Sequence, residues 1–277
     1  MSDPLAVIAR LPGVPEAVEE ARRAVDLLYR HRVLRRASPT VSAESSLRGA
    51  RASAAIEGVD VPLDALRRDE VHDPVVQGAL RASAELGRLG PTWRKAPRQV
   101  LARLHTVAAA GLTDAASLGR PRADASSPVA SSGDDQLDLD GDYGDLGDLG
   151  LGPAPGAKET GVRMEGLFEL LATPTKAPAI VLAAVVHAEL AVLRPFGTAD
   201  GVVARAAERL TLVEYGLDPK SLAVVEVGHL ELPYAEGLRA YLTGTGEGVA
   251  QWVRQCASAV TLGVREATAV CEALQRG

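Results

Sequence analysis

LRPFGTADGVVARAAERL, residues 193–210, follows directly on the apolar run APAIVLAAVVHAELAV, residues 177–192. Two long apolar patterns of helical spacing meet at a short loop of small residues. The loop opens the second helix, and a helix opening presents unpaired backbone N–H groups and the positive end of a dipole. Proteins cradle phosphate in this way. The side chains at the loop, however, are wrong for chemistry. Arg194 has five donors, no acceptor and a permanent charge, so it cannot take a proton from an attacking hydroxyl. Thr198 offers only a neutral hydroxyl where Mg²⁺ prefers carboxylates. Asp200 is the one carboxylate of the loop. It is well placed to cap the helix beginning near Gly201, with a repositioned metal ligand as the alternative.

Outward from this hairpin the patterns stay helical. Residues 14–36 read as one helix with Pro15 and Glu16 in its first turn and arginines at its end. A helix over 42–58 stops at Gly58. Asp73-Pro74 starts another as N-cap and first position, running to about Leu89, and Ala96-Pro97 opens the next. Further helices are expected at 162–173, 177–193, 201–215, 232–243 and 246–273. The β-branched SLAVVEVGHLELP, 221–233, reads as a short extended piece. With no run of alternating strands the class is all-α.

Composition narrows the function. The 47 % hydrophobic fraction is ample for a core, but aromatics at 3 % leave Ala, Leu and Val to build it, and little with which to stack bases. Seven Asp and no Lys or Arg lie in residues 125–157; without them the formal charge of −6 becomes +1, so the remainder offers no electrostatic case for nucleic acid. That stretch of Gly, Ser, Pro and Asp cannot build a core and reads as a disordered acidic loop. A calcium loop there is disfavoured, because Gln136 and Gly147 occupy positions where an EF-hand needs carboxylates. Cys256 and Cys271 have no zinc spacing and read as buried apolar residues. The chain start lacks the pattern of a secretory signal, and the longest apolar stretch, interrupted by His187 and Glu189, is too short and polar for a membrane span. The expectation is a cytoplasmic protein with no membrane partner; the oligomeric state is not legible. His105 and His187 both read as core histidines. His187 lies about 10 Å along the helix from Arg194, too far to replace a base there.

The stretch 193–210 resembles the signature of the Fic (Fido) family, His-Pro-Phe-x-(Asp/Glu)-Gly-Asn-Gly-Arg-x-x-Arg. Pro195, Phe196, Gly201 and Arg205 match; Arg194 stands at the catalytic His, Thr198 at the acidic metal ligand, Ala199, Asp200 and Val202 at three further motif positions. Ser53-Ala54-Ala55-Ile56-Glu57-Gly58 resembles the family's inhibitory helix, and Tyr234 and Trp252 fall in a region similar to its closing helices. The resemblance implies a Fic-like helical bundle in which residues 1–92 carry the inhibitory-type helix and 93–277 the core, with the acidic loop 125–157 replacing the flap over the target peptide. It implies an inhibitory-type set Ser53, Glu57 and Gly58, with Glu57 pairing with Arg205. It implies ATP with Mg²⁺ as cofactor, transfer of AMP, or another phosphate-containing group, to protein hydroxyls, and Arg194, Phe196, Thr198, Asp200, Gly201 and Arg205 as the candidate nucleotide- or anion-binding residues; Val202, at a signature arginine, cannot grip a phosphate. Because Arg194 replaces the base, the expected function is a degenerate Fic-fold protein acting by nucleotide or protein binding. The alternatives are a transferase of altered chemistry, with Asp200 as base or metal ligand, and a non-catalytic regulatory partner.

Overall fold

The computed structural model describes residues 3–122 and 149–276. They form α1 (Pro4–Ile8), α2 (Val14–Tyr29), α3 (Leu34–Ile56), α4 (Leu63–Arg67), α5 (Pro74–Trp93), α6 (Pro97–Ala108), α7 (Ala157–Ala172), α8 (Ala179–Leu193), α9 (Asp200–Glu214), α10 (Val225–Glu231), α11 (Tyr234–Leu242) and α12 (Gly246–Arg276). Among the described residues there is no strand, only an isolated bridge between Ala110 and Thr113. The all-α class therefore holds. No described helix is long and apolar enough to cross a membrane. Most of the acidic stretch, including the calcium-like positions, lies outside the described residues; 149–156 is irregular and leads into α7.

The apolar helix at the centre of the sequence is the centre of the fold. Thirteen of the fifteen residues of α8 are buried, which is what a helix apolar on every side requires. α9 runs against it, with α12, α11, α7 and α1 on its other sides; α5 and α6 pack on α9, and α2 lies along α12. Asp73 accepts hydrogen bonds from the N–H groups of Val75 and Val76, so the start expected for α5 is correct. Gly58 (φ +93) follows α3 in the left-handed region that glycine tolerates. Both cysteines are buried and free.

Two expectations about secondary structure are corrected. Residues 14–36 are not one helix. α2 ends at Tyr29 and α3 begins at Leu34, with His31 Nδ1 accepting the Val33 N–H at 3.3 Å between them. The break lets Leu28 and Leu34 both enter the core, although on one straight helix they would point about 120° apart. Residues 221–233 are not extended either: 225–231 is the helix α10. The β-branched residues here are overruled by packing. α10 lies so close to α12 that a Cβ on Gly228 would collide with the backbone of Ala259, and the Val224 N–H bonds the Gly263 carbonyl at 3.2 Å. The helical turn is what carries Glu226 and His229 inward, both buried.

Candidate functional site

The α8–α9 loop is flanked by two non-glycine residues in the left-handed region, Arg194 (φ +46) and Ala199 (φ +52), an uncommon conformation for L side chains. Arg194 ends α8, its N–H bonding the Leu190 carbonyl at 3.1 Å. Its guanidinium turns to the irregular segment before α7, Nη2 donating to the Gly152 carbonyl at 2.5 Å, while Nε is buried without a partner among the described residues. The loop is gripped by a residue the sequence did not single out. Arg122 Nε donates to the Arg194 carbonyl at 2.8 Å, and its Nη2 to the carbonyls of Leu193 (3.0 Å) and Pro155 (2.5 Å). The Arg122 N–H bonds the Pro195 carbonyl at 2.9 Å. One side chain thus serves two carbonyls that the end of α8 leaves unpaired.

Phe196 stacks on His105 with centroids 4.2 Å apart and planes 6° from parallel. His105 Nδ1 accepts the Gly119 N–H at 2.9 Å, so the ring's proton is on Nε2, 3.2 Å from Thr198 Oγ1. Burial lowers the pKa of this ring. His105 is buried, as expected of a core histidine, but it is spent on the loop: its lone pair is taken and its N–H positions the Thr198 hydroxyl.

Asp200 departs from the expected cap. It is the first residue of α9, and its carboxylate reaches back rather than forward. Oδ1 accepts the Phe196 N–H at 3.0 Å and Oδ2 the Gly197 N–H at 2.7 Å. The helical N-cap is Ala199, with no side-chain bond. The reason is the left-handed Ala199, which places Asp200 inside the helix and turns its carboxylate onto the preceding loop. Burial raises its pKa to about 7 against the pull of the two N–H bonds, and the nearby Glu57 adds to the rise.

One turn into α9, Arg205 is 1 % exposed. Its Nε donates to Ser53 Oγ at 2.9 Å, its Nη2 to the Ser53 carbonyl at 3.1 Å, and Nη2 pairs with Glu57 Oε1 at 2.5 Å. The end of α3 thus sits over the start of α9, so closely that a Cβ on Gly201 would run into the Glu57 carboxylate. Ser53, Glu57, Gly201 and Arg205, 148 residues apart at the extremes of the ion pair, are one contact cluster.

Behind Arg205 runs a buried hydrogen-bond chain that the sequence reading missed. Arg205 Nη1 donates to Tyr234 Oη at 3.4 Å, and Tyr234 Oη lies 2.7 Å from His187 Nε2. His187 Nδ1 and His229 Nε2 each lie 2.7 Å from Glu208 Oε2. Only an N–H can donate to a carboxylate, so His187 carries its proton on Nδ1 and accepts the Tyr234 hydroxyl at Nε2. Burial pushes His187 down to about 4, so it is neutral at pH 7. Burial would push Glu208 up, but the charge interactions with His229 and His187, and the hydrogen bonds from both rings, hold it near 2. His187, Glu208 and His229 bring donors of metal-ligand type within 4.8 Å of one another. In the hydrogen-bonded arrangement each nitrogen facing the carboxylate carries a proton, which a cation would have to displace. Trp252 closes the cluster, stacked on His229 and donating from Nε1 to the Ala184 carbonyl at 2.8 Å. One signal in the sequence points here: Arg205, Glu208 and Arg209 stand at i, i+3 and i+4 among the apolar residues of 202–210. Arg209 is likewise buried, paired with Glu226 at 3.2 Å.

The fold as a whole has counterparts in solved structures. A Fic family protein from Desulfovibrio desulfuricans superposes with a TM-score of 0.67 over 92 % of this chain and 74 % of its own, at 19 % identity. Fic-1 from C. elegans superposes with a TM-score of 0.64 over 94 % of this chain and 73 % of its own, at 16 % identity. The fold is the Fic fold. No family model matches the sequence, and no curated protein matches it. On the Fic fold of this chain, a Mg²⁺–triphosphate does not fit the loop as it stands. The N–H groups of Phe196 and Gly197 are already taken by Asp200, and the Glu57 carboxylate lies over Gly201. Two carboxylates face the place where an anion would be drawn.

Proposed function

We propose that this Fic-fold protein does not transfer AMP and acts by binding a protein partner, with Glu57 and Arg205 as a lock over the old nucleotide cleft. The observation that carries the reading is Arg194, which stands at the family's catalytic His and has no lone pair to act as base. The neighbouring ring of His105 offers no substitute, since Nδ1 is occupied by the Gly119 N–H. Removal of a positioned base costs about 10²–10⁴-fold in rate. The carboxylate of Asp200 on the loop N–H groups further disfavours a polyphosphate.

The expected result with labelled ATP and Mg²⁺ is no label on any protein, for the native chain and for Glu57→Gly, which opens the lock. Calorimetry should give no heat of ATP binding to the native chain with or without Mg²⁺. Robust labelling by either protein overturns the reading. A second reading has one observation in its favour: Asp200 sits near 7, where a general base works best. It predicts activity that Glu57→Gly raises and Asp200→Ala abolishes.

A further inference from the structure

Arg205 has two carboxylates on its hydrogen-bond chain, and they differ in kind. Glu57 stands at the end of α3 with its side chain 21 % exposed, next to the left-handed Gly58. Glu208 is 1 % exposed, in the core. His187 lies between Glu208 and Tyr234, and His229 on the far side of Glu208. His187 donates from one nitrogen and accepts at the other. His229 donates from Nε2 to Glu208, and its Nδ1 is buried without a partner among the described residues. Apart from the two imidazoles, the cluster holds one guanidinium and two carboxylates.

We infer that Glu208 is a second counter-ion of Arg205, connected to it through His187 and Tyr234, and that these three positioning residues hold Arg205 in place when Glu57 withdraws. The inference rests on the lock proposed above and adds what lets the lock open without unfolding the core. Withdrawing one partner of a buried ion pair ordinarily leaves an uncompensated charge. Here the remaining carboxylate is built into the same chain of hydrogen bonds, so Glu57 is the surplus one.

Hydrogen exchange on the full chain tests this. The reporters are the N–H groups of Glu57, Gly58 and Val59, which bond the carbonyls of Ser53, Ala55 and Ala54. In Glu208→Gln, Glu57 becomes the sole carboxylate on Arg205, and exchange at these three groups should slow by about tenfold. Tyr234→Phe cuts the connection without changing charge and should shift exchange in the same direction by less. Glu57→Gln should change Tm little alone and lower it sharply in the Glu208→Gln or Tyr234→Phe background. A merely structural role for Glu208 would leave or speed exchange at the reporters and give additive Tm losses; either result overturns the inference. Label transfer by Glu57→Gly would sink the functional reading while leaving this coupling measurable. Tyr234→Phe, with its Glu57→Gln double variant, carries the comparison if Glu208→Gln does not fold.

Discussion

Arg205→Met is expected to lower the unfolding free energy by about 3–5 kcal/mol, the cost of breaking a buried ion pair from one side. Methionine fills much of the volume of the arginine stem, so the loss falls on the polar head. That head serves the hydroxyl and carbonyl of Ser53, the Glu57 carboxylate and the Tyr234 hydroxyl. Without it, Glu57 and Tyr234 lose their cation and Ser53 loses its donor. The asymmetry with Glu57 is the point: removing one of two carboxylates is mild, and removing the single cation is not. Urea denaturation with an unchanged m-value measures it. A loss below about 1 kcal/mol would mean that the head is solvated in solution.

The second large effect is a pH profile that only a variant reveals. Asp200 is raised from 3.8 to about 7, so between those values the folded chain keeps a proton that the unfolded chain releases. Its contribution to stability is fully present below pH 3.8 and is lost as pH rises through 7, roughly 4 kcal/mol in all. His187 is lowered from 6.5 to about 4, so over that window the unfolded chain holds the extra proton and stability grows with pH, by roughly 3 kcal/mol. The two slopes oppose each other. The native protein should therefore show a nearly flat Tm between about pH 4.5 and pH 6.5. Asp200→Asn removes the falling contribution, and its Tm should climb steeply across the same range. The variant starts lower, because an amide cannot accept both the Phe196 and Gly197 N–H groups. Circular dichroism melts at half-unit steps check this, and a profile parallel to the native one would contradict it. Below pH 4.5 both proteins should lose stability as Glu208, held near 2, takes up its proton.

The legible parts of this molecule are those governed by local chemistry. The apolar run 179–193 announces a helix with neighbours on every side, and Asp73-Pro74 announces a helix start, because capping and burial act over a few residues. Arg194 is excluded as a base by its own structure, wherever it lies. The ion pair of Glu57 and Arg205 was reached through a family resemblance rather than from the residues themselves, since nothing local links positions so far apart.

What the sequence determined by itself is the helical class, the boundaries set by caps and glycines, and the lack of a lone pair at position 194. What only the tertiary structure decided is direction. A left-handed Ala199 turned Asp200 from the helix onto the loop. The close approach of α10 to α12 made a helix from a stretch of β-branched residues and brought His229 to Glu208. These outcomes depend on which groups meet in the core. A buried charge or hydrogen-bonding group must find its partner wherever the fold delivers one, and that delivery is not written in any short window of the chain.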